Sequence, residues 1–336
     1  MKNLLILFTL IFIISCGNDT VVNNNGGNPT ADFDIYLYKQ KEHPLKYSTY
    51  TIKLDGTGYK LFNDSLIVSS RSKQNRILLC KIDTNMMAIS AIYYAETNGT
   101  NITKIPTGNY ETDYFDLSPD AEKFLFTSGY NATLSIMNIN GSGYVLLSDR
   151  IMNAAYIPKF SPSGDLIAYL ETPQGLTTGL YITNISGTYK KLLKDSINIS
   201  EGFNLDWSPD CKKIVFQSKV AAFDSRIYVV DTSGNNLTEL TGGFEAAWSP
   251  SGNKICFARQ VLNVHDIYTM NSNGTDITNI TNTPSLYEGN PLWSSDGTKI
   301  LYSSQDLYHP SYYSVYDMNT NSSRIIADSV NGAIWK

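Results

Sequence analysis

Three imidazoles are the side chains best suited to hold a metal: His43 in KEHPL, His265 in LNVHDIY and His309 in LYHPSYY, which are all the His in the chain. Neutral imidazole is a good ligand for a divalent transition metal, and a metal so held could polarise an oxygen or activate water. The competing reading is three unrelated surface His. Tyr287, Tyr308, Tyr312 and Tyr313 cluster late in the chain, where they could stack on sugar rings or an apolar peptide, or serve only as packing. Asp120, Asp210 and Asp296 sit in turn-forming strings, so they read as turn residues and not as an acid–base pair. No GxSxG string occurs, so no catalytic Ser is indicated. Cys80, Cys211 and Cys256 are odd in number and lack CxxC spacing, which points to neither a disulfide framework nor a zinc site. Cys80 and Cys256 lie inside apolar runs and read as small buried hydrophobes.

The elements that would carry these residues repeat. A bulky residue, Ser, then Pro or Ser, then Asp or Ser, recurs as Leu117-Ser118-Pro119-Asp120, Phe160-Ser161-Pro162-Ser163, Trp207-Ser208-Pro209-Asp210, Trp248-Ser249-Pro250-Ser251 and Trp293-Ser294-Ser295-Asp296. Weaker copies stand at Val68 and Trp335, and the seven anchors are spaced 41 to 49 residues apart, 44.5 on average. Each turn leads into an apolar run such as Ile214-Val215-Phe216, then a run ending in a polar hairpin such as IYTMNSNGT, then a short fourth run. Pro presets the backbone at a tight turn and Asp, Asn and Gly tolerate its later positions, so these strings reverse the chain. Runs of four to six β-branched and aromatic residues between such turns are strands, and apolar residues on both alternations imply cover on both faces.

Four short antiparallel strands per unit of about 44 residues predict an all-β fold, a single β-propeller of four-stranded antiparallel blades. Residues 32–62 hold three such runs without a first strand, and GAIWK at the C-terminus is a first strand with nothing after it. Joined, they make a clasp of N- and C-terminal strands that hides open edges. Seven blades follow, with six as the alternative if one end is an extension. The Trp at the anchors read as packing residues between blades. Placing the three His in second-to-third-strand loops would put them on three consecutive blades.

The first fifteen residues are not part of that fold. A short positive start, an apolar run from Leu4 to Ile14, then Ser15-Cys16 and a polar break resemble a bacterial lipoprotein signal, with Cys16 as the lipidated residue. The run is too short to cross a bilayer as a helix. Residues 16–30, rich in Asn and Gly, read as a tether of about 20 Å root-mean-square length. Removing residues 1–15 leaves 25 basic and 31 acidic residues, so attachment would rest on acyl chains and not on attraction to anionic lipid. Only 17% of residues are charged and 12% are aromatic, which excludes a disordered polyelectrolyte, and a net charge of -5 offers no basic face for nucleic acid.

The WSPD-type turn, the apolar run and the IYxMNxNGT hairpin resemble the TolB-type WD-like repeat of bacterial periplasmic propellers, across residues 31–336. The chain departs from TolB in leaving no room for its amino-terminal α/β domain, in a count of seven blades against six, and in its lipidation signal. The resemblance implies the propeller fold and a cell-envelope compartment; with the lipidation signal, the tether and the lack of a catalytic constellation, the expectation is a lipid-anchored β-propeller lipoprotein, a monomer and non-enzymatic scaffold without cofactor, engaging an envelope protein or polysaccharide at a channel mouth. Gly17 after Cys16 points to the outer membrane, facing periplasm or surface, by analogy with enteric sorting. The alternative resemblance, to oligogalacturonate lyases, implies a metal-dependent polysaccharide lyase or glycan-binding propeller with a divalent metal on His43, His265 and His309.

Overall fold

The computed structural model describes residues 34–42, 45–70, 73–83, 88–107, 112–128, 133–148, 157–173, 177–199, 203–221, 224–262, 264–306 and 311–336. The signal, Cys16 and the tether lie outside the described residues, as do His43, Tyr308 and His309. Among the described residues no helix is long and apolar enough to cross a membrane.

Among the described residues all regular elements are strands. β1 (Ile35–Glu42), β2 (Leu45–Ile52) and β3 (Lys60–Asn63) form one sheet with the last strand, β28 (Gly332–Trp335), in the order β28-β1-β2-β3. Four further sheets keep chain order: β4 (Ile67–Val68), β5 (Arg76–Asp83), β6 (Ala88–Glu96) and β7 (Thr103–Lys104); β8 (Thr112–Leu117), β9 (Lys123–Ser128), β10 (Thr133–Asn138) and β11 (Val145–Ser148); β12 (Lys159–Phe160), β13 (Leu166–Glu171), β14 (Gly179–Asn184) and β15 (Lys190–Lys194); β16 (Leu205–Trp207), β17 (Lys213–Ala221), β18 (Asp224–Asp231) and β19 (Thr238–Gly242). The last eight strands are two such units: β20 (Phe244–Trp248), β21 (Lys254–Val261), β22 (Val264–Asn271) and β23 (Thr278–Asn279), then β24 (Tyr287–Trp293), β25 (Lys299–Gln305), β26 (Tyr312–Asp317) and β27 (Ser322–Ala327). One parallel bridge, His265 to Tyr287, joins these two units into a single sheet.

The turns work as their spelling suggests. Ser208 donates its hydroxyl to Asp210 Oδ1 at 2.6 Å, Asp210 Oδ1 accepts the N–H of Lys212, and Ser208 Oγ accepts the N–H of Lys213. Ser294 and Asp296 repeat the arrangement with Thr298 and Lys299. Burial would raise these carboxyls, but the hydrogen bonds outweigh it and hold Asp210 and Asp296 below the usual carboxylate range. Their role is structural. Asp296→Ala should therefore lower stability by about 1 kcal/mol, read as a shifted denaturation midpoint with no change in slope.

Strand burial shows cover on both faces, for in β9 and β13 every residue after the first is buried. Units are also stitched to each other. Trp207 Nε1 donates to the Lys159 carbonyl, Trp293 Nε1 to that of Ala247 and Trp335 Nε1 to that of Leu292, each on the first strand of the preceding unit. Trp248 is equally buried, but its Nε1 has no partner. Gly141, at φ 88°, leans on the preceding unit so closely that a Cβ would stand 2.3 Å from Pro106 Cγ.

Candidate functional site

First strands run toward the Ser-Pro turns and second strands run back, so the starts of first and third strands gather at the opposite end, here termed the mouth. Over the last two complete units that end collects Phe244 and Glu245 on β20, His265 and Asp266 on β22, Tyr287 and Glu288 on β24, and Tyr312 and Tyr313 on β26.

His265 is not in a loop as the spacing suggested. The turn between β21 and β22 is tighter than expected, with Val261 facing Val264, and His265 already pairs with Gln260. Its ring meets Phe244 edge-on, with centroids 5.0 Å apart, and Tyr287 at 5.5 Å. Burial pushes the imidazole below its ordinary value, opposed by the charge of Asp266, so it is neutral at neutral pH. The other two His lie outside the described residues, and no group of three His, Cys, Asp or Glu that could hold a metal occurs among the described ones. The ring of His265 thus sits between two aromatic neighbours.

Of the late Tyr cluster, Tyr287 begins β24, and Tyr312 and Tyr313 begin β26. Tyr313 is buried, and burial raises its phenol well above the ordinary range, so it packs. Tyr287 is 37% exposed and Tyr312 is half-buried, which leaves these two facing the mouth.

The acids at the mouth escaped the sequence reading. Glu245 is buried in the left-handed region at φ 56°, donates its own N–H to Gln217 Oε1 at 2.6 Å, and accepts the N–H of Asn290 on Oε2 at 2.6 Å. Three units thus meet at one residue. Asp266 is buried and accepts hydrogen bonds from Asn279 Nδ2 and the N–H of Thr283. Glu288 is buried beside it. The available signal was an acid inside an apolar first-strand run, GGFEAAW and YEGNPLW, where a charge has no reason to be unless it is paired or used.

Beside these acids the mouth carries apolar tips. Leu262, at the β21–β22 turn, is 89% exposed and left-handed at φ 55°, and Val220, near the end of β17, is 52% exposed. Val220 also lines an open groove of about 530 Å³ with Thr178, Ile197, Asn198, Ile199 and Lys219. The groove floor is held by main chain: Ile197 N–H donates to Thr178 O, and Lys219 N–H to Asn198 O.

Among curated proteins none matches this sequence. The family model described as the TolB beta propeller domain matches residues 206–335. Solved structures extend the likeness. TolB from Acinetobacter baumannii superposes with a TM-score of 0.57 at 15% identity, covering 89% of this chain and 82% of that one. The propeller domain of the Trilobed protease from Pyrococcus furiosus gives 0.65 at 11% identity, covering 88% and 94%. An oligogalacturonate lyase from Vibrio parahaemolyticus gives 0.60 at 11% identity, covering 89% and 87%. At such identities the shared property is the fold. The TolB-type propeller model is thus matched over residues 206–335, and four-stranded antiparallel units recur throughout the described length, so what the chain shares with these proteins is the β-propeller fold.

Proposed function

We propose that this chain is a lipid-anchored cell-envelope scaffold, a seven-bladed propeller closed by its terminal strands, that binds a protein partner at its mouth without catalysis. The lipoprotein-type signal with Cys16 supports the anchor, and the pairing of β1 with β28 supports a clasp.

The observation that carries the binding role is Leu262. Asn or Gly would satisfy a left-handed turn position at lower strain, and almost any polar residue would suit an exposed tip. A branched apolar side chain is worse on both counts, and Val220, exposed at the mouth end of the neighbouring unit, adds a second apolar tip and lines a groove there.

Leu262→Asn with Val220→Thr should leave thermal stability within about 0.5 kcal/mol of wild type, because both sites are exposed. Crosslinking and affinity capture from detergent-solubilised envelopes should recover a partner with the wild-type chain and at least about tenfold less with the double variant. Equal recovery by both, or recovery of nothing specific, removes the mouth from consideration. In the same preparations, acidic polysaccharide with added metal should give no unsaturated-sugar absorbance. Its appearance would move the lyase reading into first place.

A further inference from the structure

The mouth end of β24 is set between two buried acids. Glu288, its second residue, is 2% exposed, yet its Oε2 has no hydrogen-bond partner. Directly across the ladder on β25, Ser304 is 1% exposed and its Oγ is unpartnered as well. Hydroxyls of Thr281 and Thr283 hydrogen-bond the Glu288 carboxyl, and the charge of Asp266 on β22 opposes its ionisation. Two residues further along, Asn290 donates its N–H to Glu245 of the preceding unit.

The rest of its hold is uneven: Tyr287, Glu288 and Gly289 pair with β25, Ser303 Oγ donates to Gly289 O at 3.0 Å, and Asn290 Nδ2 donates to Ser303 Oγ at 3.3 Å. The parallel bridge to β22 rests on a long contact, His265 N–H to Leu286 O at 3.4 Å. The ladder to β25 shifts register between Gly289 and Leu292, and Asn290 is left-handed at φ 53°. Beyond that bulge, Leu292 and Trp293 are fixed in the core. Movement of residues 287–290 would thus break the outer pairs of the β24–β25 ladder while leaving the packed Leu292 and Trp293 in place.

We propose that residues 287–290 are a proton-controlled latch on the mouth, docked while Glu245 and Glu288 are neutral and released as they ionise. Ionising Glu288 places a charge on an unpartnered, buried oxygen opposite Asp266, which costs far more docked than hydrated. Burial pushes both acids up to about 7, against the Asn290 N–H at Glu245 and the two Thr hydroxyls at Glu288, which favour the ionised forms. The other titratable groups facing them are His265 on β22, lowered by burial against the charge of Asp266, and the phenols of Tyr302, Tyr312 and Tyr313, all raised chiefly by burial. These three phenols stay uncharged as the acids titrate. The docked state is thus favoured in full below the ordinary carboxyl value of 4.5, loses that advantage between 4.5 and about 7, and has lost it above. The latch is a property of the fold and stands independently of the scaffold reading.

Hydrogen exchange on the detergent-solubilised full chain tests it. After correction for intrinsic rate, and with β17 amides as internal reference, the amides of residues 264–267 and 286–290 should lose at least about tenfold protection between about pH 5 and pH 7, then level off. Glu288→Gln, neutral at every pH, should keep most of the low-pH protection. Protection in the wild type that follows the intrinsic rate and the reference alone overturns the latch. Should the variant fail to fold, carboxyl carbon NMR of the wild type decides: two Glu titrating near 7 support the latch, and every Glu titrating near the ordinary value sinks it.

Discussion

Asp206→Ala is expected to destabilise the propeller by about 3–5 kcal/mol, a large fraction of the stability of most domains. Asp206 is buried on β16 immediately before Trp207, and its two oxygens serve two neighbouring units. Oδ2 accepts the main-chain N–H of Trp248 at 2.8 Å on the next unit. Oδ1 stands 3.9 Å from the ammonium of Lys159 on the preceding one, itself buried and donating to Asn204 Oδ1. Removing the carboxylate strands a lysine ammonium inside the protein and takes one acceptor from a buried N–H. The energy at stake is the cost of leaving the partner behind, more than the attraction between the pair. Lys159→Met together with Asp206→Asn should therefore recover most of the loss, because the stranded charge is gone and an acceptor for Trp248 remains. Urea denaturation of the full chain reads both variants. A single variant within about 1 kcal/mol of wild type would show that Lys159 finds water or another partner at little cost.

The same device occurs once more along the chain. Asp116 precedes Leu117 as Asp206 precedes Trp207; its Oδ2 accepts the N–H of Phe160, and its Oδ1 lies 3.5 Å from the buried ammonium of Lys73. In the last three units the corresponding residues are Ala247, Leu292 and Ile334. Some first strands are therefore joined to the next by buried charge and main-chain hydrogen bonds, and others by apolar contact and Trp N–H groups. Substitutions at this position should be costly in the first set and tolerant of volume-conserving apolar exchange in the second.

How far the sequence was legible follows from the range of each interaction. Turns such as Ser208 to Lys213 close within six residues, and the strand periods are local, so the units and the packing role of the Trp could be read directly. The contacts of Asp206 are with Lys159 and Trp248, each more than 40 residues away, and nothing local separates that Asp from the turn-forming Asp210. Glu245 and Glu288 escaped for the same reason, since they act on or near β24 across a seam between units. His265 was misplaced by a smaller error. Its hairpin closes around Leu262, a residue that turn chemistry does not nominate, so the loop looked longer than it is. An apolar residue where a turn wants Asn or Gly is poor evidence of a turn, and for that reason it is better evidence of contact.

Gly332→Ala is expected to unfasten the terminal clasp. β28 pairs with β1 through Ile35 to Trp335, Tyr36 to Ile334, Leu37 to Ala333 and Tyr38 to Gly332. At the last of these pairs the Tyr38 ring lies across the Gly332 Cα, so that a Cβ would come within 2.0 Å of Cε1 and 2.1 Å of Cζ. The ring is buried and the neighbouring main chain is committed: Asn331 N–H donates to Tyr38 O, and Asn331 Oδ1 accepts the N–H of Gln40 at 2.6 Å. The added methyl must displace either an aromatic core residue or the final strand. Overpacking of this kind costs about 1–3 kcal/mol, and the strand is the cheaper element to move because its pairing ends with the chain. Exchange should accelerate across residues 35–38 and 332–335 before the remainder of the fold responds, and Trp335, whose Nε1 reaches the Leu292 carbonyl, should become accessible to quencher. Tyr38→Ala in the same chain removes the obstructing ring, so the double variant should exchange more slowly in these segments than Gly332→Ala alone. If instead Gly332→Ala unfolds in a single transition with no early exchange at the termini, the clasp is no weaker than the blades it joins.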